Sequence, residues 1–259
     1  MCIRDSYYFN LHGSSDELFA IFGLGQYPNL GVTDAFVDVR HGDHQHIVRA
    51  STELVDRSHT KVGPIAVEVL EPLKSLRVVV EPTEHTVAMD VVWEGAMPVH
   101  AEPRQHLRNQ GRVVFDTQRF AQTGRWTGAI SVGDATYKVT PDRWCGTRDR
   151  SWGVRPVGEK EPDGIRAEQT PMAGMWNYFP MLFSDHSIVY MCHERDNGER
   201  PLEEATRIWH DGRPAEWLGR PEWTHRMTSG TRLLEGSTLD FPEAPEEPIT
   251  VSCEPLLAN

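Results

Sequence analysis

Trp126-Thr127-Gly128-Ala129-Ile130-Ser131-Val132, then Gly133-Asp134, then Thr136-Tyr137-Lys138-Val139, is the stretch that decides the fold class. Trp126, Gly128, Ile130 and Val132 recur at period two, which places them on one face of an extended strand. Gly133-Asp134 is a tight-turn pair, and the residues beyond it return as the second arm of a hairpin.

The same grammar runs outward in both directions. Upstream, Ile65, Val67 and Val69 alternate, Leu76 to Val80 is a β-branched run, and Val87, Met89, Val91 and Trp93 share a side. Phe36 to Arg40 and Ile47 to Thr52 are strand-like around His41-Gly42-Asp43-His44-Gln45-His46. Downstream, Trp176 to Phe183 and Ser187 to Arg195 flank the turn Ser184-Asp185-His186. Asn197-Gly198 and Asp211-Gly212 mark further turns, the second after Ala205 to Trp209. Arg232 to Leu239 and Ile249 to Cys253 close the series, with the acidic, proline-rich loop Phe241 to Pro248 between them. Helical signal is confined to Glu102 to Asn109, with Pro103 at its start, and to a turn capped by Ser14 or Ser15 through Phe19 to Phe22. Short strands at roughly 8–12-residue spacing predict an all-β sandwich or barrel. The pattern divides into two halves, 1–140 and 141–259, around Gly146 to Gly153.

With 259 residues the chain can bury a full core without disulfides or metals. Its net charge of -12 argues against nucleic acid or an anionic membrane as partner. Cys2, Cys145, Cys192 and Cys253 are scattered, which predicts free thiols in a reducing compartment. Met1 to Glu17 has no signal-peptide core, and no apolar run reaches the roughly 20 residues of a membrane helix. A soluble, cytoplasmic protein is expected. No phosphate loop or GxSxG elbow is present, so no organic cofactor is expected. Met1 to Ser6 reads as read-through at the start of an assembled fragment, and the chain is expected to continue at one or both ends. The second half would then be incomplete.

Gly146-Thr147-Arg148-Asp149-Arg150-Ser151-Trp152-Gly153, followed by Arg155, resembles the motif G-x-R-D-H-S-W-G-x-R of a two-domain, lipocalin-like family related to hydroxyneurosporene synthase, the carotenoid hydratase. Phe120-Ala121-Gln122-Thr123-Gly124, Gly128 and the hairpin at Gly133 fit its Q-x-G strand pair. Trp176-Asn177-Tyr178-Phe179 fits the aromatic strand that follows. The resemblance implies two consecutive lipocalin-like β domains with an apolar cavity or cleft. Relatives include carotenoid hydratases, and similar folds in fungi assist pericyclic cyclisations; the expectation for this chain is an apolar ligand of terpenoid, steroid or fatty-acyl type, hydrated, isomerised or cyclised without an organic cofactor. The family's histidine is Arg150 here, so no acid–base role for that histidine carries over.

Arg148 and Asp149 are the candidate catalytic pair. An apolar setting would raise the Asp149 pKa, and a protonated carboxyl could protonate an alkene before water traps the cation. The structural alternative is a charge-assisted clamp between the halves. Adjacent residues of an extended strand point to opposite faces, so direct contact between the two does not follow. Six of the eight tryptophans lie at or after Trp144, and Trp152, Trp176, Tyr178 and Tyr190 are read as lining an apolar ligand cavity or, equally, an ordinary barrel core. His193, on the face opposite Tyr190 and Cys192, is a further candidate lining residue. His41 to His46 is a hairpin tip rather than a metal site. Cys145 has no base visible beside it in the sequence, and core packing is its expected role.

Overall fold

The computed structural model describes residues 2–84, 86–109, 111–155 and 174–256, and their regular structure is entirely strand. Thirteen strands form one antiparallel sheet. They are Cys2–His12 (β1), Leu18–Tyr27 (β2), Val32–His41 (β3), His44–Glu53 (β4), Lys61–Val62 (β5), Ile65–Glu71 (β6), Ser75–Val80 (β7), Val87–Gly95 (β8), His100–Ala101 (β9), Gln105–Asn109 (β10), Arg112–Val132 (β11), Ala135–Val139 (β12) and Cys145–Arg155 (β13). Ten of them run in the order β4-β3-β2-β1-β13-β11-β8-β7-β6-β5 and curl into a nearly closed barrel. The short β9, β10 and β12 attach to the long β11. The two ends of the path approach one another: a Cβ on Gly63, just past β5, would meet the Ala50 Cβ of β4 at 2.9 Å.

Alternation explains the core. Phe9 and Leu11 of β1, Phe22 and Leu24 of β2, Val37 and Val39 of β3, and Val91 and Trp93 of β8 all point into the barrel. Trp126 of β11 is its centre. Its ring packs edge-on against Phe9, Phe22 and Trp93, at centroid distances of 5.8, 5.4 and 5.0 Å. Its indole Nε1 donates to the Asn10 carbonyl at 3.0 Å, so no polar atom of the ring is stranded. Each such buried side chain contributes about 1.5–3 kcal/mol by transfer from water. At Gly146 β13 lies tightly against β1, since a Cβ there would lie 2.1 Å from the Asn10 carbonyl oxygen.

The chain divides into two compact units, Met1–Gly13 with Glu17–Ala173, and Ser14–Asp16 with Gly174–Asn259. The second unit holds two antiparallel sheets. One contains Met175–Leu182 (β14), His186–Glu194 (β15), Leu202–Trp209 (β16) and Glu216–Trp217 (β17); the other contains Glu222–Met227 (β18), Leu234–Phe241 (β19) and Ile249–Cys253 (β20). Ile188, Tyr190, Cys192, Leu239 and Phe241 from the two sheets share one apolar cluster.

Three expectations change. Gly146 to Gly153, read as the start of the second half, is a strand of the first sheet, hydrogen-bonded between β1 and β11. Glu102 to Asn109 is not helical. Gln105 to Asn109 pairs with Arg112 to Thr117, which gives it a strand ladder instead. Phe19 to Phe22 is likewise inside β2, where pairing with both β1 and β3 outweighs a local cap. Cys2–His12, for all its polarity, is β1; Met1 and residues 257–259 lie outside the described residues. The His41 to His46 tip is the β3–β4 turn, with Gly42 at φ 57°. Among the described residues no helix is long and apolar enough to cross a membrane.

Candidate functional site

Strand alternation sends Arg148 and Asp149 to opposite faces of the barrel wall. The register aligns Phe9, Arg148 and Gln122 across β1, β13 and β11, and Tyr8, Asp149 and Ala121 in the next row. The first row shares its face with the apolar core, and the other row faces outward. A direct Arg148–Asp149 pair is therefore absent from this geometry.

On the inner face, Arg148 is only 4% exposed. Its Nε donates to Gln122 Oε1 at 2.8 Å and its guanidinium lies 5.2 Å from the Phe120 ring centroid. Gln122 Nε2 in turn donates to the carbonyls of Leu73 and Met97, at 3.1 and 2.7 Å. Burial pushes the Arg148 pKa down to about 10, with Arg150 acting in the same direction. Nearer the rim, Asp5 accepts from Arg150 Nε at 3.1 Å and Nη2 at 3.0 Å, and from Arg57 Nη2 at 2.9 Å. Arg150, which stands where the related family has histidine, lies over the Tyr7 ring at 4.4 Å. Trp152 is half-exposed at the rim, and its Nε1 donates to Gln118 Oε1 at 3.0 Å.

The outward face of the same strands is buried too. The hydroxyls of Ser6 and Ser151 are 3.1 Å apart, Arg155 Nη2 donates to Ser151 Oγ at 2.9 Å, and Arg119 pairs with the Glu102 carboxylate. Within this polar layer burial raises the Asp149 pKa, against the lowering pull of Arg119, Arg155 and Arg4. Tyr8, its cross-strand neighbour on β1, is raised by burial and then by the Asp149 charge. A recess of about 10 Å³, the room of one water, is lined by Pro103, Gln105, Thr117, Arg119 and Arg155.

The ligand-lining candidates of the second unit separate by face as well. Trp176 and His193 are cross-strand partners with ring centroids 6.2 Å apart, and Tyr178 lies on their side. Tyr190 points the other way, into the apolar cluster, where burial raises the pKa of its hydroxyl. That inner face also holds a group the sequence did not reveal. His225 of β18 contacts Asn177 Oδ1 through Nε2 at 2.8 Å and Ser237 Oγ through Nδ1 at 2.9 Å. Burial lowers its pKa, so the neutral ring donates from Nε2 and accepts at Nδ1. Phe179 and Trp223 stack against it, at 6.1 and 4.5 Å. Only the contact between two sheets brings β14 and β18 together, so no local signal marks the pair. The tryptophan skew likewise marks no single cavity. Trp144 and Trp152 belong to the barrel, whereas Trp176, Trp209, Trp217 and Trp223 belong to the second unit.

Cys145 does have a base nearby: His12 Nε2 lies 3.7 Å from its Sγ, delivered by β1, and burial lowers that imidazole's pKa. Among the described residues no group of His, Cys, Asp and Glu has the geometry to hold a metal ion.

Barrel and site together define a lipocalin-like fold, and solved structures share it. A protein from Nitrosomonas europaea described as AttH superposes with a TM-score of 0.59 at 10% identity, covering 92% of this chain and 77% of that one. Kievitone hydratase from Nectria haematococca gives 0.55 at 11% identity, over 96% and 86% of the two chains. CghA gives 0.56 at 11% identity, over 97% and 74%. No curated protein matches the chain. The chain belongs to a family of unknown function, DUF8625, whose model matches residues 2–259.

Proposed function

We propose that the chain binds an apolar small molecule of terpenoid, steroid or fatty-acyl type and acts on it by cofactor-free acid chemistry, as a hydratase, isomerase or cyclase. Asp149 is the proton donor. The observation that carries this reading is a carboxyl held in a buried, outward-facing polar layer, where desolvation favours its protonated form against three arginines. In hydration, the Asp149 proton passes to an alkene carbon, water adds to the resulting cation, and the proton released by that water returns to the carboxylate. The motif likeness to the hydroxyneurosporene synthase family and the fold shared with kievitone hydratase support the reading. So does the solved complex of CghA with Sch210972, in which a similar fold is paired with a small molecule.

Native mass spectrometry of freshly purified protein identifies the bound mass. Asp149→Asn then keeps that mass and loses its conversion. Unchanged conversion by the variant removes Asp149 from the mechanism. The closely packed aromatic plug around Trp126 favours a second reading, a structural accessory domain with a filled core, whereas a non-catalytic carrier would hold a compound that is never converted.

A further inference from the structure

Arg150 and Arg148 descend the inner face of the barrel wall towards the core, Arg57 stands at the rim between β4 and β5, and one carboxylate serves only two of the three. Arg57 at the rim has a side chain 59% exposed, Arg150 is 34% exposed, and Arg148 lies buried below them. Asp5 is engaged by Arg57 and Arg150. Arg148 is left with a neutral amide and an aromatic face, and its Nη2 is buried without a hydrogen-bond partner. An uncompensated guanidinium in a protein interior is costly, and a bound anion is the direct way to offset it. Gln122 fixes the guanidinium through Nε, which leaves its Nη edge to present the planar fork that suits a carboxylate. Tyr7, Phe120 and Trp152 line the same face between the rim and Arg148, and they offer flat apolar surface to whatever carries the charge.

We propose that this end of the barrel is a binding site for a small organic anion, a carboxylate or enolate on a flat apolar body, with Arg148 as its anchor and Arg57 and Arg150 as the cationic approach. The site is on the opposite face from Asp149, so it stands or falls separately from the acid chemistry proposed above.

The test is isothermal titration of the full chain with benzoate and with its neutral isostere benzamide, at constant ionic strength. Benzoate is expected to bind saturably with a Kd of about 1 mM or tighter, and benzamide at least about tenfold more weakly. Arg148→Met abolishes the preference, Arg148→Lys keeps the charge but loses the fork and weakens benzoate about tenfold, and the exposed Arg57→Gln lowers affinity without removing it. Equal binding of the two probes, no benzoate binding, or unchanged benzoate binding by a folded Arg148→Met overturns the proposal. A neutral compound found bound by native mass spectrometry, with no benzoate response, overturns this inference and leaves the apolar-ligand reading intact.

Discussion

Replacing Arg148 by methionine should make the ligand-free protein more stable. Burial lowers the guanidinium pKa to about 10, so the fold disfavours its charged form by at most about 3 kcal/mol relative to water. Neutral pH lies below both the folded and the unfolded value, so the charge is present in both states and the whole cost is felt there; it is relieved only as pH rises past about 10. Against this, the substitution strips Gln122 Oε1 of its donor, a loss of about 1–3 kcal/mol, while Gln122 Nε2 keeps both of its carbonyl partners. Methionine's flexible side chain occupies much of the vacated volume. The balance is a gain of about 1 kcal/mol, or about 2–4 °C in melting temperature for a chain of this size. Urea denaturation and calorimetry of the full chain measure it. A loss of about 3–5 kcal/mol, the usual result of breaking a buried ion pair, would refute the reasoning, because it would mean that Arg148 already has its counter-charge.

Two further outcomes follow from the geometry. Gly146→Ala drives a methyl into the Asn10 carbonyl of β1, which must shift; a stability loss of about 1–3 kcal/mol in denaturant titration is expected, and a neutral result would mean that the β1–β13 contact is looser than described. His225 has a folded pKa below its ordinary 6.5, so the unfolded chain takes up the proton first as pH falls, and stability is lost on acidification from about 6.5 downwards. His225→Gln should flatten that part of the stability–pH profile, and an unchanged profile would point to other groups.

Strand content was legible because alternation is local. Val87, Met89, Val91 and Trp93 declare their shared face within one strand, and Gly133-Asp134 declares its turn. β1 was not legible, because its polar first half is buried on both faces, with Asp5 and Tyr7 inward and Ser6 and Tyr8 outward; alternation emerges only over Tyr7, Phe9 and Leu11. For the same reason the stretch Gly146 to Gly153 resembled a boundary, although it fills the gap between β1 and β11. The separation of Arg148 from Asp149 follows from strand geometry alone. What each side chain meets does not: Gln122 reaches Arg148 only through the β11–β13 register, and His225 reaches Asn177 only when two sheets face each other.

The position of β1 has a consequence for how the chain comes into being. β1 leaves the ribosome long before one of its two partners, β13, which closes against it with Cys145–Arg155. During synthesis, β1 to β4 can zip together as a meander while one edge of β1 waits, unpaired, for most of the barrel to emerge. Such an edge is a template for a neighbouring nascent chain. Arg4 and Asp5, charged residues set within that waiting strand, would discourage a wrong partner until β13 arrives.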